Sequence, residues 1–73
     1  MDRVELKQYL EKKRVPSYFY NLDGEGRKDE RLCLEFNLGK WNVYFIERGI
    51  RTINIFFDSE ADACQYLYNQ LID

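Results

Sequence analysis

The sequence predicts an α+β fold: an N-terminal helix, a three-stranded antiparallel meander and a C-terminal helix, with both helices on one sheet face. Apolar residues recur at helical spacing near both ends of the chain. Between those ends, three runs alternate apolar and polar residues with a period of two, and a glycine-bearing turn follows each of the first two runs. The 73 residues are read as one domain, 1–73.

The first helix is expected from about Asp2 to Arg14. Asp2 is a natural N-cap, and Glu5 completes a capping-box pair. Leu6, Tyr9 and Leu10 form a narrow apolar face, and Lys12, Lys13 and Arg14 suit the negative end of the helix dipole. Pro16 ends the helix by pushing Val15 out of helical geometry, and it suits a place near the first position of a short helical turn over Pro16–Tyr20. The Tyr18-Phe19-Tyr20 cluster then closes the bottom of the core or, alternatively, forms an exposed contact site. Asp23-Gly24-Glu25-Gly26 reads as a loop.

Three strands follow. Leu32, Leu34, Phe36 and Leu38 alternate with Cys33, Glu35 and Asn37. Trp41, Val43 and Phe45 alternate with Asn42, Tyr44 and Ile46, and Ile53, Ile55 and Phe57 alternate with Thr52, Asn54 and Phe56. A two-residue turn at Leu38-Gly39 pairs Leu34 with Val43. A two-residue turn at Arg48-Gly49 would set Phe45 against Thr52 and turn the third strand inside out. A three-residue loop, Arg48-Gly49-Ile50, instead pairs Phe45 with Ile53 and Val43 with Ile55, with Gly49 at positive φ. The last helix is expected over Ser59–Leu71. Ser59 caps it, and Ala63, Cys64, Leu67 and Leu71 share one face. Both helices are expected to cover Leu34, Phe36, Val43, Phe45, Ile53 and Ile55.

The net charge of −2 argues against nucleic acid as the partner, because such binders carry a clustered basic excess. The clusters Lys12-Lys13-Arg14 and Arg27-Lys28 are both flanked by acids. The first residues are charged where a signal peptide needs an apolar run, and no stretch reaches the roughly 20 apolar residues of a membrane span. A cytoplasmic location is the resulting expectation, with Cys33 and Cys64 as free thiols on opposite sides of the sheet.

Without a histidine, the usual Ser-His and Cys-His schemes and most zinc sites fall away. The oxygens of Asp23, Glu25, Asp29 and Glu30 do not follow calcium-loop spacing. No enzyme, cofactor or metal is expected. The sheet side away from the helices is the candidate site. It carries Glu35, Asn42, Tyr44, Ile46, Asn54 and Phe56, too apolar for an ordinary solvent face and suited to binding a protein. The competing expectation is that the 15–30 segment covers part of it. An acidic surface at Glu47, Asp58, Glu60 and Asp62 is a second candidate, against a plain capping role for those acids.

Three segments resemble a known family: Val15-Pro16-Ser17 with Tyr20, Leu22 and Gly24; Trp41-Asn42-Val43-Tyr44-Phe45-Ile46-Glu47-Arg48-Gly49; and Phe57-Asp58-Ser59-Glu60-Ala61-Asp62-Ala63-Cys64-Gln65-Tyr66-Leu67. They resemble small bacterial immunity proteins encoded beside polymorphic or contact-dependent growth-inhibition toxins. The resemblance implies an antitoxin: a cytoplasmic inhibitor that binds the toxic domain of its cognate effector, often a nuclease, and blocks it. A monomer in a 1:1 complex with that toxin is the accompanying expectation. Two alternatives stand beside it. The element order is that of the double-stranded-RNA-binding domain, although Asp58, Glu60 and Asp62 stand where that module needs lysines. The other alternative is a homo-oligomeric structural module that pairs through an edge strand or through the Tyr44/Phe56 face.

Overall fold

The computed structural model describes residues 1–72; Asp73, the end of the expected domain, lies outside them. Helix α1 spans Arg3–Lys12, and a 3-10 turn spans Ser17–Phe19. Strands β1 (Tyr20–Asn21), β2 (Leu32–Asn37), β3 (Lys40–Glu47) and β4 (Ile50–Phe57) follow, and α2 spans Glu60–Ile72. The strands form one sheet in the order β1-β2-β3-β4.

Helix α1 begins as its capping residues require. Asp2 Oδ1 accepts from the Glu5 amide at 2.9 Å, and Glu5 Oε1 accepts from the Asp2 amide at 3.1 Å. It stops before the expected Arg14, because Arg14 takes φ 60°. There its amide donates to the Glu11 carbonyl and the Val15 amide to the Leu10 carbonyl, each at 3.0 Å. That pair of bonds satisfies the carbonyls of the last turn, with arginine in the position glycine usually holds. Ser59 caps α2 as expected, its hydroxyl accepting from the Asp62 amide at 3.0 Å.

The first hairpin has the expected register, Leu32 against Phe45, Leu34 against Val43 and Phe36 against Trp41. Leu38 and Gly39 both have positive φ, 53° and 80°, the mirror-image turn whose twist suits a tight hairpin. Arg48 and Gly49 repeat these angles. The second loop is therefore two residues long, not the expected three, with Glu47 paired to Ile50 and Ile46 to Arg51. The register then shifts, and Phe45 faces Ile53, leaving Thr52 over as a β-bulge. The bulge supplies the extra residue that the longer loop was expected to supply, so Val43–Ile55 and Trp41–Phe57 pair as expected.

The antiparallel meander is thus one part of a mixed four-strand sheet, because β1 pairs in parallel with β2 through Tyr20–Leu32 and Asn21–Cys33. Two residues carry no period, so β1 was not expected. A parallel pair forces the intervening chain to cross a sheet face, and residues 22–31 make that crossing.

The core joins Leu6 and Leu10 of α1, Leu32, Leu34 and Val43 of the sheet, and Ala63, Cys64 and Leu67 of α2, with Tyr20 closing one end. Arg3 donates its amide to Glu60 Oε2 at 2.9 Å, tying the starts of the two helices together. Tyr9 meets Tyr68 edge-on further along, with centroids 6.3 Å apart. The helices do not cover all that was expected of them. Phe36 stays exposed and stacks on Trp41 at 4.7 Å, and Ile55 on β4 remains 37% exposed. Tyr18 and Phe19 are also exposed, so only Tyr20 of that cluster enters the core.

The space where a Cβ would stand on Gly49 is open, so a side chain there costs backbone strain alone. We expect Gly49→Ala to lower stability by about 1–2 kcal/mol through its left-handed backbone. Chemical denaturation would measure it; an unchanged midpoint would contradict the turn geometry.

Candidate protein-binding surface

The sheet side away from the helices is built around Asn21. This buried amide donates from Nδ2 to the carbonyls of Glu25 (2.6 Å) and Arg27 (2.8 Å), and its Oδ1 accepts from the Gly24 amide at 2.9 Å. Asp23 Oδ1 accepts from the Glu25 amide at 2.9 Å. Asn and Asp side chains bonding forward to nearby backbone groups are a common way of closing a turn. Here they curl residues 21–27 into a fixed loop that lies over β2. Lys28 reaches Glu35 Oε1 at 2.9 Å, and the Cys33 thiol lies 3.6 Å from the Lys28 carbonyl and 3.5 Å from that of Arg31. The Glu30 amide donates to the Ile46 carbonyl at 2.7 Å, and the Glu30 carboxylate accepts from the Arg48 amide at 3.2 Å.

This cover corrects the expectation of an open face. Tyr44 is 1% exposed and Asn42 5%, so neither is available as a surface contact. The competing expectation, cover by the 15–30 segment, describes the β2 half of the face. Tyr44 instead anchors a polar network. Its hydroxyl donates to Glu35 Oε1 at 2.7 Å, and the Arg51 guanidinium lies over its ring, 3.8 Å from the centroid. Arg51 Nη1 donates to Asn42 Oδ1 at 2.9 Å, and Asn42 Nδ2 donates to Asn54 Oδ1 at 2.9 Å and to the Ile55 carbonyl at 3.1 Å. Every buried side-chain nitrogen and oxygen among the described residues has a partner. That matters because an orphaned buried polar group costs about 1–3 kcal/mol.

The network sets the ionisation of its members. Burial and the hydrogen bond to Glu35 push the Tyr44 phenol well above its ordinary value. Burial alone would raise the Glu35 carboxyl, but the bonds from Lys28 and Tyr44 outweigh it and leave it below 4.5. Burial pushes the Cys33 thiol up, and burial together with Glu60 pushes Cys64 up to about 11. Both cysteines are buried and free, and raised thiols are poor nucleophiles.

The ten candidate contact residues fall into separate places. Asn54 and Phe56 are exposed on β4, Phe56 at 59%, and Ile46 and Glu35 are half-buried beside the loop. Glu47 is exposed at the far hairpin end. Asp58 and Asp62 are exposed at the start of α2, where the Lys40 ammonium holds the Asp58 carboxyl below its ordinary value, and Glu60 is turned toward Arg3. Asn21, Lys28 and Arg51 were not singled out from the sequence, although Asn21 two residues before Asp-Gly carried a turn signal.

Elsewhere, a cleft between α1 and the 21–25 turn is lined by Lys7, Glu11, Tyr20, Asp23, Glu25 and Arg31, charges of both signs with no single-sign focus. Among the described residues, no three His, Cys, Asp or Glu side chains gather as metal ligands. No helix among them is long and apolar enough to cross a membrane. Comparison with protein-family models, with curated proteins and with solved structures finds no match to this chain.

Two outcomes follow from the network. Tyr44→Phe keeps the ring under Arg51 and loses the bond to Glu35, so we expect a loss of about 1.5 kcal/mol, read by urea unfolding. Folding also lowers the Glu35 carboxyl, so its contribution is full above 4.5 and is lost as pH falls through the lower folded value. Glu35→Gln should therefore be the less stable protein at pH 7 and should lose less stability than the parent on acidification. Parallel acid-unfolding curves for the two would contradict the network.

Proposed function

We propose that this chain is an immunity protein: it binds the toxic domain of a cognate bacterial effector, a nuclease, in the cytoplasm and neutralises it. Two supports carry this reading. The first is the resemblance in the 15–24, 41–49 and 57–67 segments. The second is Phe56, a large aromatic left 59% exposed on a sheet side whose neighbouring polar groups are tied into one network. Exposed aromatics ringed by polar groups are where binding energy concentrates in protein interfaces. A fixed platform also spares the entropy of ordering side chains on binding.

Tyr44 and Asn42 serve this surface from below. They hold Arg51 and Asn54 in place beside Phe56 and do not touch the partner. The exposed carboxylates Glu47, Asp58 and Asp62 flank the strand, and the net charge of −2 suits a basic partner that itself binds nucleic acid. Opposite charge would steer encounter and raise the on-rate.

Co-expression with the toxin encoded beside this chain is the test, read by growth rescue and by calorimetry of the purified pair. We expect Phe56→Ala to weaken the complex at least tenfold with no change in the unfolding midpoint. An added 0.3 M salt should slow association, since it shortens the screening length to less than about 8 Å. A chain that neither binds that toxin nor restores growth would overturn the proposal.

A further inference from the structure

Strand β4 is the long free edge of the sheet, because β1 at the other edge offers only Tyr20–Asn21. Alternate residues of β4 turn their N–H and C=O groups away from β3. Edge strands are ordinarily blunted by charge, proline, a bulge or a covering segment. Arg51 and the Thr52 bulge blunt the first part of β4. The rest, Ile53-Asn54-Ile55-Phe56-Phe57, carries no charge and no proline, and Ile55 and Phe56 remain exposed.

We propose that this run pairs antiparallel with the same run of a second copy about a two-fold axis at Ile55, joining the two sheets into one. The pattern is self-complementary in that register. On the helix side Ile55 meets Ile55 of the second copy, and Ile53 meets Phe57 in both directions. On the other side Asn54 meets Phe56. Facing residues of an antiparallel pair share a sheet side, so a shift that sets Asn54 against Ile55 mixes the two sides and is excluded. Centring the axis on Asn54 keeps the sides but leaves only the Ile53–Ile55 apolar pairs and brings Phe57 against Arg51. The Ile55 register sets Thr52 of each copy against Asp58 of the other, so that Arg51, held over Tyr44, and Asp58, paired with Lys40, lie near one another at both ends with no like charges opposed. This match of the run with itself is why the occupant is a second copy and not an unrelated strand.

The inference goes beyond the immunity reading and does not need the toxin. It replaces the expected monomer by a two-fold dimer, and it places both Phe56 side chains on one side of the joined sheet, flanking the axis. A strand pair with one layer of side chains covers less than the roughly 1,200–2,000 Å² of a stable specific interface, so a dissociation constant on the order of tens of micromolar is expected.

Sedimentation of the isolated full chain up to about 1 mM, well above that constant, tests it. The average mass should rise twofold with concentration, and Ile55→Lys should stay monomeric with a parent-like circular dichroism spectrum. Should Ile55→Lys unfold, Ile55→Cys decides. It should oxidise to a disulfide-linked dimer while Ile50→Cys does not, the native thiols being buried. A single monomer mass at the highest concentration, or a dimer that Ile55→Cys fails to cross-link, would overturn the inference.

Discussion

Between the pair Ile46–Arg51 and the pair Phe45–Ile53, β4 carries one residue more than β3, and that surplus decides what each side of the sheet can be. The mirror-image turn at Arg48-Gly49 suits the twist of two strands but brings them together out of phase with their apolar pattern. The Thr52 bulge absorbs the mismatch within one residue. Beyond it, Ile53, Ile55 and Phe57 lie on the helix side with Val43 and Phe45. Before it, Arg51 lies on the other side, over Tyr44. The apolar core and the polar network therefore share one cause. A hairpin without the bulge would carry the β4 isoleucines to the network's side and leave Tyr44 facing one of them.

The other side of the sheet is half covered and half open, and the chain's path explains why. Pairing β1 in parallel with β2 commits residues 22–31 to cross above β2, where they seal Cys33 and Tyr44. The crossing reaches the Ile46 end of β3 and the turn at Arg48, short of Asn54 and Phe56 on β4, which stay open. Lys28, Glu35, Tyr44, Arg51 and Asn42 form a continuous series of contacts from the loop to this open strip. The strip thus presents an aromatic ring and an amide on a braced support.

The sequence disclosed the parts governed by a period or a local motif. Alternation over six to eight residues in each run was enough to set the first hairpin and the pairs from Phe45–Ile53 to Trp41–Phe57, but not the two-residue turn and bulge that close the second hairpin. Asp2, Glu5 and Ser59 marked helix starts because capping involves residues close in sequence. The hidden parts depended on contacts between distant residues. Two residues of β1 are too few to show alternation. Tyr44 reads as a surface residue along β3 alone, and it is buried only once Arg51 lies over its ring and Glu35, held by Lys28 of the loop, takes its hydroxyl. The acids at the start of α2 were legible as charge, but the engagement of Glu60 with Arg3 was not.

The pairing of β3 with β4 underlies both the network beneath Phe56 and the free run of β4, and through-space α-proton contacts in a solution NMR spectrum report it directly. The bulged register predicts contacts of Tyr44 with Asn54 and of Asn42 with Phe56. Contacts of Tyr44 with Ile53 and of Asn42 with Ile55 would mean an unbulged hairpin, and the account of both sheet sides would fail with it.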